Sequence, residues 1–187
     1  MCIRDRNRFN DYVIKNNYVD LPVVGIEPSC LLTFNDEYQT LKNVNNKEQI
    51  KNKFYLLEEF ILEQIRNNNK IKANRFDQNV LIHGHCHQKS QDRMKGLTNL
   101  LSELNINNKM IESSCCGMAG SFGYESKNYE VSKKMANLSL IPAINNSDEK
   151  DFIVANGTSC RHQISDLSEK KGKHVSELLF KIFETVN

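Results

Sequence analysis

The sequence predicts an α/β fold: a mainly parallel sheet with flanking helices, and cysteines at the carboxyl ends of the strands. Three observations carry this. Short apolar runs alternate with longer segments of helical period. The runs are continuous, which suits strands covered on both faces. Five of the six cysteines fall just after such a run.

In order along the chain, Phe9 and Val13 hint at an opening helix that is only partly present. Residues 21–26, Leu-Pro-Val-Val-Gly-Ile, read as the first strand. The polar stretch 43–53 reads as a loop running into a helix. Ile50, Phe54, Leu57, Ile61 and Ile65 then mark one helical face ending near Asn67. Residues 80–83, Val-Leu-Ile-His, are the second strand, followed by a helix on Met94, Leu97, Leu101 and Leu104. Residues 109–112 are taken as the third strand, mainly from their position. Val131, Met135, Leu138 and Ile141 form the next helical stripe, ending around Pro142. Residues 152–155, Phe-Ile-Val-Ala, are the fourth strand. Val175, Leu178, Leu179, Ile182 and Val186 form a last helix.

The 187 residues suit a single domain, placed at 7–187, with residues 1–6 set aside as a non-native leader. A chain of this length buries roughly 70% of its unfolded surface, so its core needs no staples. With 25 Lys and Arg against 23 Asp and Glu, the net charge of +2 argues against a strongly basic grip on nucleic acid. Eight Gly, three Pro and no repeat period exclude collagen-like and low-complexity classes. No apolar run is long enough for a transmembrane helix, and the N-terminus lacks the apolar centre of a signal peptide. The expected location is the cytoplasm, or the periphery of the membrane's inner face. In a reducing compartment the cysteines are expected to be metal ligands or redox thiols.

Cys30 follows the first strand, Cys86 the second, Cys115 and Cys116 the third, and Cys160 the fourth; only Cys2 breaks the rule. In a parallel sheet these loops share one edge, where open α/β sheets bind ligands. Cysteines distant in sequence then converge without any local Cys-x-x-Cys spacing. Each alone would read as a small buried hydrophobe; together they read as a shared site. A tetrahedral structural zinc usually takes paired Cys knuckles, which are missing, although histidines could complete one. Iron–sulfur clusters take thiolates, typically four, which leaves a fifth as bridge, spare ligand or exchangeable thiol. For adjacent Cys115 and Cys116 to face one centre the chain must turn sharply. Gly117, Gly120 and Gly123 permit that turn and let backbone N–H groups approach sulfur. His83, His85, His87, Arg161 and His162 flank the same loops and could offset thiolate charge. Lys89 lies there too, read more readily as a solvated loop residue.

These segments resemble the cysteine-rich CCG domain found in heterodisulfide reductases, in the iron–sulfur subunit of glycolate oxidase and in lactate-utilisation proteins. The likeness rests on Gly-Ile-Glu-Pro-Ser-Cys30, His83-Gly-His-Cys86-His-Gln-Lys89, Cys115-Cys116-Gly-Met-Ala-Gly-Ser-Phe-Gly-Tyr124 and Ser-Cys160-Arg-His162. It is strongest to the C-terminal part of large FAD-linked oxidases of the D-2-hydroxyglutarate and D-lactate dehydrogenase type. The resemblance implies an iron–sulfur cluster of 4Fe-4S type, cubane or non-cubane, held by Cys30, Cys86, Cys115, Cys116 and Cys160. It implies an electron-transfer module of a 2-hydroxyacid dehydrogenase, with FAD in a flavin domain elsewhere in a longer parent chain. Electrons would pass to a quinone, cytochrome or other acceptor. No catalytic residue is expected here, and the chain alone is expected to be inactive. Two departures stand out. Gln163 occupies the place of the last thiolate in the Cys-x-x-Cys of heterodisulfide reductase, and Cys30 is the proposed substitute. The first half of the family's repeat is expected to be truncated, leaving apolar surface near Phe9, Tyr12 and Tyr18. A structural zinc module, a thiol–disulfide site at Cys115 and Cys116, and a metal-free docking scaffold stay open beside this reading.

Overall fold

The computed structural model describes residues 3–42, 44, 49, 53–68 and 73–183. Cys2, Ile50 and Val186 lie outside the described residues.

Helix α1 (Ile3–Lys15) begins inside the segment set aside as a leader. Arg6 is buried, with its guanidinium 5.4 Å from the Tyr38 ring centroid. Asn10 Oδ1 accepts a 2.6 Å hydrogen bond from the Tyr38 hydroxyl. Strand β1 (Val23–Gly25) pairs in parallel with β2 (Phe54–Leu56), Val23 opposite Phe54. The short helices α2 (Pro28–Leu31) and α3 (Glu37–Thr40) lie between them in sequence. Leu31, Leu32, Phe34, Tyr38, Phe54 and Leu56 form the core of this region, with Phe34 stacked on Phe54 at 4.5 Å. Phe9, expected at the surface, packs against that core, whereas Tyr12 and Tyr18 are exposed as expected.

The helix expected from Ile50 through Ile65 starts later, as α4 (Leu57–Asn67). Phe54 and Leu56 bury their side chains in β2, and the Glu59 carboxylate accepts from Leu56 N at 2.9 Å. That bond satisfies a free N–H at the first turn and fixes where strand becomes helix.

The main sheet has three strands in the order β4–β3–β5: β4 (Asn108–Met110), β3 (Val80–His83) and β5 (Phe152–Ala155). Both pairings are parallel, with Val80 opposite Asn108 on one side and Phe152 on the other. Side-chain alternation divides the core. Val80, Ile82, Phe152 and Val154 meet α4, α6 (Met94–Glu103) and α10 (Val175–Phe183). Leu81, Ile153 and Ala155 meet α8 (Leu140–Asn145) and α9 (Thr158–Leu167), together with Ala136 of α7 (Tyr129–Asn137). Helix α5 (Cys86–Ser90) follows β3.

The stripe expected on Val131, Met135 and Leu138 is not the buried face of α7. Val131 and Leu138 are exposed, while Ser132 and Ala136 are buried. Small residues face inward because backbone comes close there. A Cβ on Gly117 would lie 2.2 Å from Ser132 O. Pro142 sits inside α8 rather than after a helix, within the first turn, where its missing N–H costs nothing.

Candidate metal centre

Parallel pairing puts the carboxyl ends of β3, β4 and β5 at one edge. The β3 strand ends at His83, and Cys86 opens α5 behind the N-cap His85, whose Nδ1 accepts from His87 N at 3.2 Å. The loop after β4 carries Ser113, Cys115 and Cys116. It reverses at Gly117, whose φ of +91° is open to glycine and strained for other residues. The β5 strand runs through Asn156 and Gly157 into α9, with Cys160 buried in its first turn.

The Cys116 and Cys160 sulfurs and a ring nitrogen of His83 lie within 4.8 Å of one another, and all three residues are buried. Cys115 lies near enough to Cys86 to act on its thiol. Gly117 N–H donates to Cys115 Sγ at 3.2 Å. Cys30, Cys86, Cys115, Cys116 and Cys160 are all free thiols. Cys30 is exposed and takes no part in the buried triad.

The sulfurs perturb one another strongly. Cys116 is pulled down to about 4 because the Cys160 thiol donates to it; burial opposes this, and the His83 ring and the Met118 backbone assist. Cys160 is pushed up, first by that same bond and then by burial. The two thiols shift in opposite directions because they share that hydrogen bond. Burial, then the Cys115 and Cys116 sulfurs, raise Cys86 to about 11.

Around them lies a polar frame. Lys89 donates to the carbonyls of Ser113 and Ser114, tying α5 to the cysteine loop after β4. Burial lowers its ammonium below the usual lysine value, while the charges of Cys86, Cys160, Cys115 and Cys116 pull the other way. His83 Nδ1 meets Ser113 Oγ at 2.8 Å, and its Nε2 is buried with no hydrogen-bond partner. His87 Nδ1 is likewise buried without a partner. The His85 ring packs so closely on Gly157 that a Cβ there would lie 2.3 Å from its Cδ2. Arg161 is engaged by its own loop, donating to Ala155 O at 3.0 Å and Asn156 O at 2.6 Å. His162 is exposed and pairs with the Tyr124 hydroxyl. Gly120 has φ +68° and open space beside it.

Two carboxylates tie this edge to the rest of the chain, and neither was singled out as a functional residue from the sequence. Glu27 Oε2 accepts from Thr158 N and Oγ1, both at 2.9 Å, joining the loop before Cys30 to the start of α9. Burial alone would raise its carboxyl; Thr158, Ser29 and the nearby His85 bring it below its usual value. Glu58 is 1% exposed, and its Oε1 accepts from Gln88 at 2.7 Å and Asn156 at 2.9 Å. It therefore links α4 to the helix bearing Cys86 and to the loop before Cys160. Burial raises it to about 7, and the neighbouring Glu59 adds to this. Nothing in Leu57-Glu58-Glu59 separates such a carboxylate from ordinary acidic residues of a first helical turn. Lys89 was placed beside the site by its sequence position but read as solvated, and the structure instead ties it to the Ser113 and Ser114 carbonyls.

The chemistry open to this edge is that of soft ligands: four thiols from three loops and one imidazole. A cavity of about 980 Å³ lies elsewhere, around Asn79, Asn107 and Asp151 at the amino ends of β3–β5, without a cysteine in its lining.

Residues 80–165 match the family model described as a cysteine-rich domain, CCG. The chain is 23% identical over 161 residues to a D-2-hydroxyglutarate dehydrogenase of Pseudomonas putida, which covers 85% of this chain and 15% of that protein. It is also 23% identical over 162 residues to one subunit of the anaerobic glycerol-3-phosphate dehydrogenase of Escherichia coli K12, covering 85% of this chain and 40% of that polypeptide. With the D-2-hydroxyglutarate dehydrogenase of E. coli K12 the identity is 24% over 178 residues, or 93% and 17% of the two chains. This chain thus spans well under half the length of these relatives. No solved structure matches it. Among the described residues no helix is long and apolar enough to cross a membrane.

Proposed function

We propose, from the premise that this chain belongs over residues 80–165 to the cysteine-rich CCG family, that it is the iron–sulfur electron-transfer module of a flavin-linked dehydrogenase. The likeness to dehydrogenases, one of them a multi-subunit enzyme, suggests a redox module. The observation that carries the finer reading is the gathering of Cys86, Cys115, Cys116 and Cys160 at one sheet edge, all as free thiols. The donor set fits such a centre: it is rich in thiolate, has a cation against it in Lys89, and leaves the buried His83 Nε2 without a partner.

An iron–sulfur cluster bound there takes up and releases single electrons. The protein's own residues do the rest. Cys86, Cys115, Cys116 and Cys160 supply thiolates. Gly117 N–H and the Lys89 ammonium offset negative charge at the sulfurs, which favours the reduced state. The packing of Met118, Ile164 and Ala155 around the inner sulfurs keeps water from them. The donor of electrons is proposed to be a flavin domain of the same parent protein oxidising a 2-hydroxy acid. The acceptor is a quinone, a cytochrome or another carrier, reached from the cytoplasmic side of the membrane.

Iron, acid-labile sulfide and zinc assays on the anaerobically purified chain test this. The reading expects iron and sulfide together, with several-fold loss of both in Cys116→Ser and Cys160→Ser. Zinc without sulfide would replace it with a structural zinc module. Metal-free protein whose Cys115 and Cys116 exchange with disulfides would replace it with thiol–disulfide chemistry.

A further inference from the structure

The buried triad contains one member that is not a thiol. We infer that His83 is a direct ligand of the metal at this site, bonding through Nε2, and that it rather than Cys30 supplies the fifth donor beside Cys86, Cys115, Cys116 and Cys160. The inference rests on the reading above that the site holds a metal.

Four observations lead to it. His83 ends the central strand, paired with Ala155, so its backbone is fixed within the sheet. Its side chain is 1% exposed. Nδ1 meets Ser113 Oγ at 2.8 Å, on the same loop that carries Cys115 and Cys116. When Nδ1–H donates to that hydroxyl, the lone pair is on Nε2, the arrangement of a metal-bound imidazole whose other nitrogen is held by an outer partner. Nε2 is buried with no hydrogen-bond partner of normal geometry among the described residues, although the ring acts on the Cys116 thiol, and a ring nitrogen lies within 4.8 Å of both the Cys116 and Cys160 sulfurs. A buried polar nitrogen without a partner calls for an explanation, and a bound ion is one. In a tetrahedral site with metal–sulfur bonds of about 2.3 Å and metal–nitrogen bonds of about 2.0 Å, donor atoms stand about 3.5–3.8 Å apart. The His83 nitrogen is therefore close enough to the two thiols to reach the metal centre that they bind.

The two competing donors are placed less well. Cys30 is exposed and outside the triad; Cys86 is exposed as well, but the Cys115 and Cys116 sulfurs act on its thiol. Gln163, three residues beyond Cys160, is buried, but its amide already donates to Ser132 O at 3.2 Å and Ser132 Oγ at 2.9 Å.

The test compares wild type with His83→Ala, His83→Cys and Cys30→Ser, all purified anaerobically as the full chain, by metal-to-protein ratio and X-ray absorption at the metal edge. Expected are a several-fold loss of metal in His83→Ala, and metal retained in His83→Cys with one nitrogen scatterer replaced by sulfur. Cys30→Ser should match wild type in both readouts. Rescue by cysteine separates a ligand from a merely structural histidine, because cysteine cannot reproduce the bond to Ser113. Wild-type metal content and an unchanged coordination shell in His83→Ala would overturn the inference and leave the proposed function standing. So would loss of metal in Cys30→Ser with His83→Ala unaffected, or failure of His83→Cys to hold metal. A wild-type chain without metal would overturn both.

Discussion

Glu58 is the residue whose behaviour the structure predicts most sharply. Its carboxyl sits at about 7 instead of its usual 4.5, chiefly because burial disfavours the charged form. Below pH 4.5 it is protonated in folded and unfolded chains alike and has no effect on stability. Between 4.5 and about 7 the unfolded chain loses the proton first, so stability falls as pH rises. Above about 7 the cost is complete, on the order of 3 kcal/mol. Glu58→Gln keeps an oxygen for Gln88 and Asn156 and removes the charge. Denaturant unfolding as a function of pH should find this variant more stable than wild type at about pH 8, with little slope between about pH 4.5 and 7. Glu58→Ala should instead lose about 1–3 kcal/mol at about pH 5, because both amides are left buried without an acceptor. Lys89 is the other residue with a distinct signature. Replacing it with Met keeps the stem and removes a cation that interacts electrostatically with the four cysteines. The reduction potential of the bound centre should fall by about 60 mV, a tenfold change for a one-electron couple. An unchanged potential in a spectroelectrochemical titration would remove Lys89 from the account.

The element that depends most on backbone detail is the turn after Cys116. Gly117 and Gly120 both have positive φ, but their surroundings differ. A Cβ on Gly117 would strike Ser132 O at 2.2 Å, whereas nothing lies within 4 Å of one on Gly120. Gly120→Ala should therefore cost only the left-handed strain, about 1 kcal/mol. Gly117→Ala should cost about 3 kcal/mol or more and displace Cys115 and Cys116, because the turn and α7 cannot both keep their places. Thermal unfolding with metal analysis distinguishes the two, and equal effects would mean that the contact with Ser132 is unimportant. The same contact explains why the buried face of α7 escaped sequence reasoning. Apolar periodicity selected Val131 and Leu138, but here close approach of backbone placed Ser132 and Ala136 inside. Strand β2 was missed for a related reason: Phe54 and Leu57 share a helical spacing with Ile61, and nothing local reveals that Phe54 pairs with Val23.

Across the whole molecule, what could be read from the sequence was topology. Continuous runs at Val80–His83 and Phe152–Ala155 marked the two strands buried on both faces, and their parallel pairing follows from the helices between them. From that alone Cys86, Cys115, Cys116 and Cys160 could be expected at one edge. What could not be read was which polar groups complete the edge, since Glu58 and Ser113 acquire partners only from segments distant in sequence. Cys30 also follows a strand, but β1 belongs to the smaller sheet with β2, which the sequence did not reveal.

The central claim is that these loops hold a reducible iron–sulfur centre. A potentiometric titration of the anaerobically purified chain, followed by electron paramagnetic resonance beside Cys116→Ser and Cys160→Ser, addresses it most directly. The account predicts a signal that appears and disappears reversibly with a one-electron slope in the wild type and is lost in both variants. A colourless wild-type protein with no reducible signal at any applied potential would contradict it.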